Sequence, residues 1–318
     1  MEEIRDEQFE LTTPVAFFTF NRLDTTKRVF SRIKDARPKR LYLISDGARE
    51  TKTGEKERVD EVRKFLLESI DWECEVFKDF SEKNLGCGKR LFSGISWVLS
   101  QEEETIILED DVLPNPSFFR YCQEMLEYYR NDERIMLVGG SNSACNIFPT
   151  DKDYLFTKMP LIWGWATWRR AWELYDFNIS TWPEAKKNGS VRKKLPLKTY
   201  WQYEGEFDSL YAHQFDTWDY QLFYAVLHND KLCIAPRISY TENLGFEACE
   251  DATHTSGGQN SKPQYTTGEC RFPIVHREDV KEDTDFDKVY LKRAGKHGIS
   301  TKIKSLLGKD VNKSIFAK

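Results

Sequence analysis

Three acids in succession, Glu109-Asp110-Asp111, end the apolar run Thr105-Ile-Ile-Leu108, and Val-Leu-Pro-Asn-Pro-Ser-Phe-Phe119 follows them. Adjacent carboxylates repel one another, so the arrangement is costly unless a cation, a sugar hydroxyl or solvent takes up the charge. A divalent cation already bound to a diphosphate needs only one or two protein carboxylates, because phosphates and water complete its shell. Acids at the end of a rigid strand, fixed by a proline turn, suit that task. An arbitrary Glu-Asp-Asp is ordinarily a solvated loop; the strand before this one and the proline stop after it argue against that here.

A second acidic pair flanks a tryptophan in Phe215-Asp-Thr-Trp-Asp-Tyr-Gln221. Asp216 and Asp219 each suit a helix cap, and either would act as a general base only in a pocket that tunes its pKa. Arg22 follows the apolar run Val15-Phe20, where a guanidinium could face an anionic ligand; standing alone it reads equally as a surface arginine. Asp46, in Ser-Asp-Gly47, could accept bonds from a ribose or base, but the same tripeptide is common turn chemistry. Trp163, Trp165 and Trp168, with Trp172 and Trp182 behind them, offer faces on which sugars stack, although at least half of them are expected in the core. The five histidines have no metal-ligand spacing, and His254 is singled out because it lies in the Gly/Ser/Thr-rich stretch Thr253-Ser261.

The elements that must hold these groups follow from periodicity. Val15-Phe20 and Leu41-Ser45 read as strands, with a helix between them that buries Val29, Phe30 and Ile33 and is capped by Asp24 or Thr25. A charged helix over Glu55-Ser69 has its apolar stripe at Val59, Val62, Phe65 and Leu66. A strand near Cys74-Phe77, a turn at Asn84-Gly88, a helix to about Ser100 and the strand Thr105-Leu108 complete an alternation that predicts stacked β-α-β units and a mostly parallel sheet flanked by helices. Ligands bind beyond the carboxyl ends of such strands, so Asn21-Arg22, Asp46-Gly47 and the acidic triplet are expected on one rim. The second half is less regular, with a Lys-rich stretch over Lys186-Lys198 and a helix around Asp219-His228.

With 318 residues, 40% hydrophobic residues and 14% aromatics, the chain can fill a large core. A net charge of -5 argues against nucleic acid as a partner. Seven scattered cysteines without a Cys-x-x-Cys pair indicate neither a disulfide framework nor a zinc knuckle. They fit a reducing cytoplasm, and the acidic N-terminus has no leader-like pattern. One domain over residues 1–285 is expected, with a nucleotide-sugar half (13–112) and an acceptor half (113–285), followed by a basic tail over 286–318. From Lys288 to the end the chain has nine Lys/Arg against the single acid Asp310, with Ile299, Ile303, Leu306 and Leu307 at near-helical spacing. Contact with the inner face of an anionic membrane and simple solvation are both consistent with such a tail.

These residues resemble the GT-A glycosyltransferases, specifically the inverting branch that includes N-acetylglucosaminyltransferase I and many bacterial polysaccharide enzymes, over roughly Thr13 to Ser256. Phe18-Thr-Phe-Asn-Arg22, Leu43-Ile-Ser-Asp-Gly47 and Leu108-Glu-Asp-Asp111 are similar to the family's sugar-nucleotide motifs. The resemblance implies a GT-A fold, Mn²⁺ or Mg²⁺ held by Asp111, and a nucleotide-sugar donor, UDP-linked by expectation, contacted by Arg22, Asp46, Glu109 and Asp110. Pro160-Leu-Ile-Trp-Gly-Trp165 is similar to the family's Gly-x-Gly-Trp segment beside donor and acceptor, although its first glycine is Ile162 here. Trp218-Asp219 is similar to the motif that carries the catalytic base, which implies that Asp219 deprotonates a saccharide or lipid-linked saccharide acceptor. Gly245-Gly258, including His254, corresponds in position to a loop over the diphosphate. A sugar-1-phosphate nucleotidyltransferase shares the architecture but calls for a Gly-rich phosphate loop after the first strand, and Phe18-Arg28 has no glycine. A non-catalytic carbohydrate-binding protein is the other alternative; the presence of both Asp111 and Asp219 argues for an enzyme.

Overall fold

The computed structural model describes residues 9–246 and 265–293. Val15–Thr19 forms β1, an unbroken apolar run buried along its whole length, as a strand covered on both faces requires. Leu23–Ala36 (α1) follows, with Val29, Phe30 and Ile33 turned inward, and Arg40–Ser45 (β2) lies parallel to β1 with Leu41 beside Val15. Glu55–Glu68 (α2), Glu75–Phe80 (β3), Cys87–Gln101 (α3) and Glu104–Glu109 (β4) continue the alternation. β3 pairs with β2 and β4 with β1, both parallel.

After the triplet come Val112–Pro114 (β5), Ser117–Tyr128 (α4), Ile135–Gly139 (β6), Tyr154–Thr157 (β7) and Trp165–Trp168 (β8). Arg169–Trp172 (α5), Trp182–Asn188 (α6), Leu197–Tyr211 (α7), Asp219–His228 (α8), Leu232–Pro236 (β9) and Thr241–Asn243 (β10) complete the order. The eight-stranded sheet runs β3-β2-β1-β4-β8-β6-β9-β7, and β5 and β10 form a separate antiparallel pair. Because β8 is antiparallel to both β4 and β6, β6 and its parallel neighbour β9 point the same way as β1 to β4. Only β8 and the edge strand β7 are reversed. The expected mostly parallel α/β sheet flanked by helices is therefore present, and its reversed strand β8 starts at the rim where β1, β2 and β4 end.

Three expectations need correction. No side chain caps α1: Arg22 occupies its N-cap position, and Thr26 Oγ1 instead donates to the Arg22 carbonyl at 2.6 Å. The third strand runs to Phe80 rather than ending at Phe77. The core does not stop at 285, since residues 284–293 are helical and bury Phe286, Asp287, Tyr290 and Leu291 against the domain. The rest of the basic tail and most of the stretch from 245 to 258 lie outside the described residues. Among the described residues, no helix is long and apolar enough to cross a membrane.

α3 lies so close to the sheet that a Cβ on Gly94 would fall 2.5 Å from Phe18 Cε1 and 2.9 Å from Ile44 Cγ2. Alanine there gains at most about 1 kcal/mol of helix propensity, whereas forcing a methyl into a filled core costs about 1–3 kcal/mol. Gly94→Ala is therefore expected to lower stability by on the order of 1–2 kcal/mol, read as a lower urea midpoint at unchanged slope.

Candidate active site

β1 lies between β2 and β4, so the residues that follow these strands share one rim. Arg22, at the start of α1, reaches across β1's end to the triplet. One guanidinium nitrogen contacts Asp110 Oδ1 and the other lies 3.0 Å from Asp111 Oδ2. Asp110 also accepts the Phe20 N–H at 3.2 Å, which ties the first acid pair to β1's backbone. Burial pulls the Arg22 pKa down, but the charges of Asp110 and Asp111 outweigh it and hold the guanidinium firmly protonated. Burial raises the Asp110 pKa; Arg22 works against that shift and Asp111 adds to it.

Glu109, the last residue of β4, is half-buried, and among the described residues no cation forms an ion pair with it. Its pKa rises, first through desolvation and then through Asp111 and Asp110, with Arg22 opposing the shift and Asp219 adding to it. Asp219 is thus close enough to the triplet to be felt by it, although 108 residues separate it from Asp111. It is the first residue of α8 and only 3% exposed. Its Oδ1 accepts the Tyr220 N–H at 2.9 Å and the Thr217 hydroxyl. These donors favour the charged form, but desolvation dominates and lifts the Asp219 pKa to about 6.

Asp216 does something else. Its Oδ1 accepts the Gly88 N–H at 2.9 Å, in the first turn of α3, where an anion complements the helix dipole. Gly86, with φ 81°, precedes this turn, and a Cβ there would lie 2.2 Å from Asp216 Oδ2. Between them Cys87 stands amid Glu109, Asp216, Asp219 and Asp111; burial first and these four carboxylates next raise its thiol pKa well above the ordinary value. As a residue Cys87 is nevertheless exposed at the surface.

The rim residues do not all meet. Arg22, Glu109, Asp110, Asp111 and Asp219 come together. Asp46, 7% exposed, turns away and accepts Gly47 N–H, Leu85 N–H, Gly86 N–H and Asn84 Nδ2 at 2.9 to 3.1 Å. Only the Gly47 bond is local; the other three come from the loop leading into α3, which the carboxylate secures. Trp165 is 1% exposed, stacked at 5.7 Å on Trp218, the residue before Asp219. Its ring supports Asp219 from below and presents no open face for a sugar. His254 lies outside the described residues.

Two groups escaped the sequence reading. Glu55, fully buried at the start of α2, accepts Arg49 Nε at 2.9 Å and Asn21 Nδ2 at 3.1 Å, so Asn21 is spent on a structural clamp. An acid in the first turn of a helix was the available signal. The role of Asp216 had no local signal, because its partner is 128 residues away.

Among the described residues, no group of three or more His, Cys, Asp or Glu side chains is arranged to hold a metal ion alone. The donor chemistry nonetheless suits a cation shared with a phosphorylated ligand. Five carboxylates, those of Glu109, Asp110, Asp111, Asp216 and Asp219, gather near one rim of the sheet, with the Arg22 guanidinium paired to two of them. A hard divalent ion takes oxygen ligands from both protein and ligand.

No family model matches the chain, and no curated protein matches it. Solved structures do. The mannosyltransferase PcManGT from Pyrobaculum calidifontis, in complex with GDP-Man and Mn²⁺, aligns at 12% identity over 70% of this chain and 71% of that one, with a TM-score of 0.37. S. aureus TarS 1-349 aligns at 11% identity over 74% and 60% of the two chains, TM-score 0.39. The galactosyltransferase LgtC, in complex with donor and acceptor sugar analogs, aligns at 11% identity over 68% and 70%, TM-score 0.33. Likeness at this level says nothing about which residues act.

The raised Asp219 pKa has a consequence for stability. An acid whose folded pKa lies above its unfolded value destabilises the fold as pH rises between the two, here from about 3.8 to about 6. Asn at this position keeps an Oδ1 for the Thr217 and Tyr220 donors and removes the charge. Asp219→Asn is therefore expected to be more stable than the parent at pH 7, by on the order of 1–3 kcal/mol. The gain should vanish as pH falls below about 4, as read by thermal melts across that range.

Proposed function

We propose that the chain is a metal-dependent inverting glycosyltransferase of the GT-A type, which moves a sugar from a nucleotide diphosphate donor to a hydroxyl of a saccharide or lipid-linked saccharide. The observation that carries this reading is the proximity of a buried aspartate with a raised pKa, Asp219, to a strand-end acid cluster, Glu109-Asp110-Asp111, on one rim of the sheet. A general base is most effective when its pKa lies near the working pH, and about 6 meets that requirement.

Asp219 takes the proton from the acceptor hydroxyl as that oxygen attacks the anomeric carbon. The bond from that carbon to the diphosphate oxygen breaks on the opposite face, and the diphosphate leaves with the electron pair. Inversion follows from this single displacement, with no covalent enzyme intermediate. Asp111 would hold Mn²⁺ or Mg²⁺, which when bound supplies positive charge beside the departing diphosphate. Arg22 keeps Asp110 and Asp111 in register at the end of β4, and Glu109 extends the polar floor toward Asp219. Trp218, stacked on Trp165, fixes the direction from which the base meets the acceptor. The donor is read as UDP-linked from the sequence resemblance alone.

Two measurements test the reading. Asp219→Asn is expected to lower sugar transfer by at least about 100-fold while donor binding stays within a few-fold of the parent. The parent's kcat/KM should rise with pH through about 6 and then level off, as the basic form of Asp219 becomes populated. Asp216→Asn is the companion variant, expected to lose stability through α3 rather than its base. If both variants transfer sugar normally, the base does not reside here.

Calorimetry with UDP addresses the cation. Binding should be strong with Mn²⁺ or Mg²⁺ and weakened at least about tenfold by EDTA or by Asp111→Asn, because a diphosphate brought beside these acids is repelled unless a cation bridges them. Equal affinity with and without the chelator would remove the metal from the mechanism.

A further inference from the structure

The chain carries net charge -5, yet from Lys186 to Lys198 it has six basic residues and no acid. This run spans the end of α6, the following turn and the start of α7. Lys186 is engaged by Asp208 and Lys194 by Asp230 and the Leu227 carbonyl. Lys187, Arg192, Lys193 and Lys198 are exposed. α7 buries Tyr200, Tyr203, Phe207 and Leu210 against the domain and turns two large apolar side chains outward one helical turn apart. These are Leu197, 45% exposed, and Trp201, 51% exposed. One turn further along the same stripe lies Gly205, with open space around it.

From this surface we infer that the first turns of α7, with the basic segment before them, form a docking face for an anionic lipid bilayer. Leu197 and Trp201 enter the interfacial layer, and Lys187, Arg192, Lys193 and Lys198 lie against the headgroup phosphates. The inference does not rest on the proposed reaction. Charge complementarity favours an anionic partner, and the apolar content selects a membrane among anionic partners. A specific protein interface buries about 800 Å² on each side, far more than two protruding side chains provide. An exposed tryptophan beside an aliphatic residue, ringed by lysine and arginine, is by contrast the composition of an interfacial anchor. Each cation held near an anionic leaflet strengthens binding by about fivefold, so four of them and two anchors suffice for reversible attachment.

Cosedimentation of the full chain with vesicles tests this. The parent protein is expected to sediment with phosphatidylcholine vesicles that contain phosphatidylglycerol, less so as salt rises, and to stay in solution with pure phosphatidylcholine. Leu197→Ser combined with Trp201→Ser, and separately Lys193→Glu combined with Lys198→Glu, should each weaken binding by at least about tenfold with unchanged melting temperature. The neutral pair is the decisive arm, because it leaves every basic residue of the chain in place. Brominated lipid should quench tryptophan emission in the parent and much less in Trp201→Ser. Failure of the parent to bind anionic vesicles overturns the inference, as does undiminished binding by both double variants, or self-association through this face without vesicle binding.

Discussion

The constraint on which the rest of the site depends is electrostatic. A carboxylate triplet at the end of a buried strand is costly without an answering charge, and among the described residues Arg22 supplies one, reaching from the start of the neighbouring helix to two of the three acids. This crosslink ties the ends of β1 and β4 together. It also leaves Glu109 with its proton affinity raised and Asp219 facing a negative wall. Among the described residues, the charges gathered at this rim are therefore in negative excess. Such an imbalance lowers stability and creates demand for a cationic or hydroxyl-bearing ligand, the usual trade between a stable fold and a working site.

A second layer of organisation is aromatic. β8 inserts antiparallel between β4 and β6, so its first residue, Trp165, lies at the rim. Trp165 stacks on Trp218, while Trp172 stacks at 4.3 Å on Tyr175, whose hydroxyl donates to the Trp218 carbonyl at 3.0 Å. The backbone just before Asp219 is thereby held by rigid rings rather than by a flexible loop. Precision of this kind matters for a group that must meet a hydroxyl at hydrogen-bond distance.

Much of the first half was legible in the sequence, because parallel strands buried on both faces appear as continuous apolar runs and their helices as clear stripes. The rim followed from strand ends alone, and Arg22, Glu109, Asp110 and Asp111 do meet there. For Asp46 the sequence left a ligand contact and turn chemistry open, and no local pattern announces that its carboxylate will collect three bonds from the distant turn at Asn84 to Gly86 besides the one from Gly47. Trp165 was misread for a similar reason: whether an indole faces a cleft or a core depends on where its strand enters the sheet, and β8 is out of sequential order. The short helices α5 and α6 carry too few residues for a periodic signal, so the second half was read as irregular.

The bond from Asp216 to the first turn of α3 spans 128 residues, and this bears on how the protein is made. α3 leaves the ribosome long before the aspartate that completes its N-terminus exists. At a synthesis rate of about 5–20 residues per second the interval is roughly 6–25 s, ample for hydrophobic collapse but not for native closure. For the first part of that interval, until β8 is made from residue 165 onward, β4 is an open edge that still exposes backbone donors and acceptors. The nascent first half is thus a sheet with one sticky margin and one unfinished helix, a species that chaperones capture and that heterologous expression at high temperature would drive into aggregates.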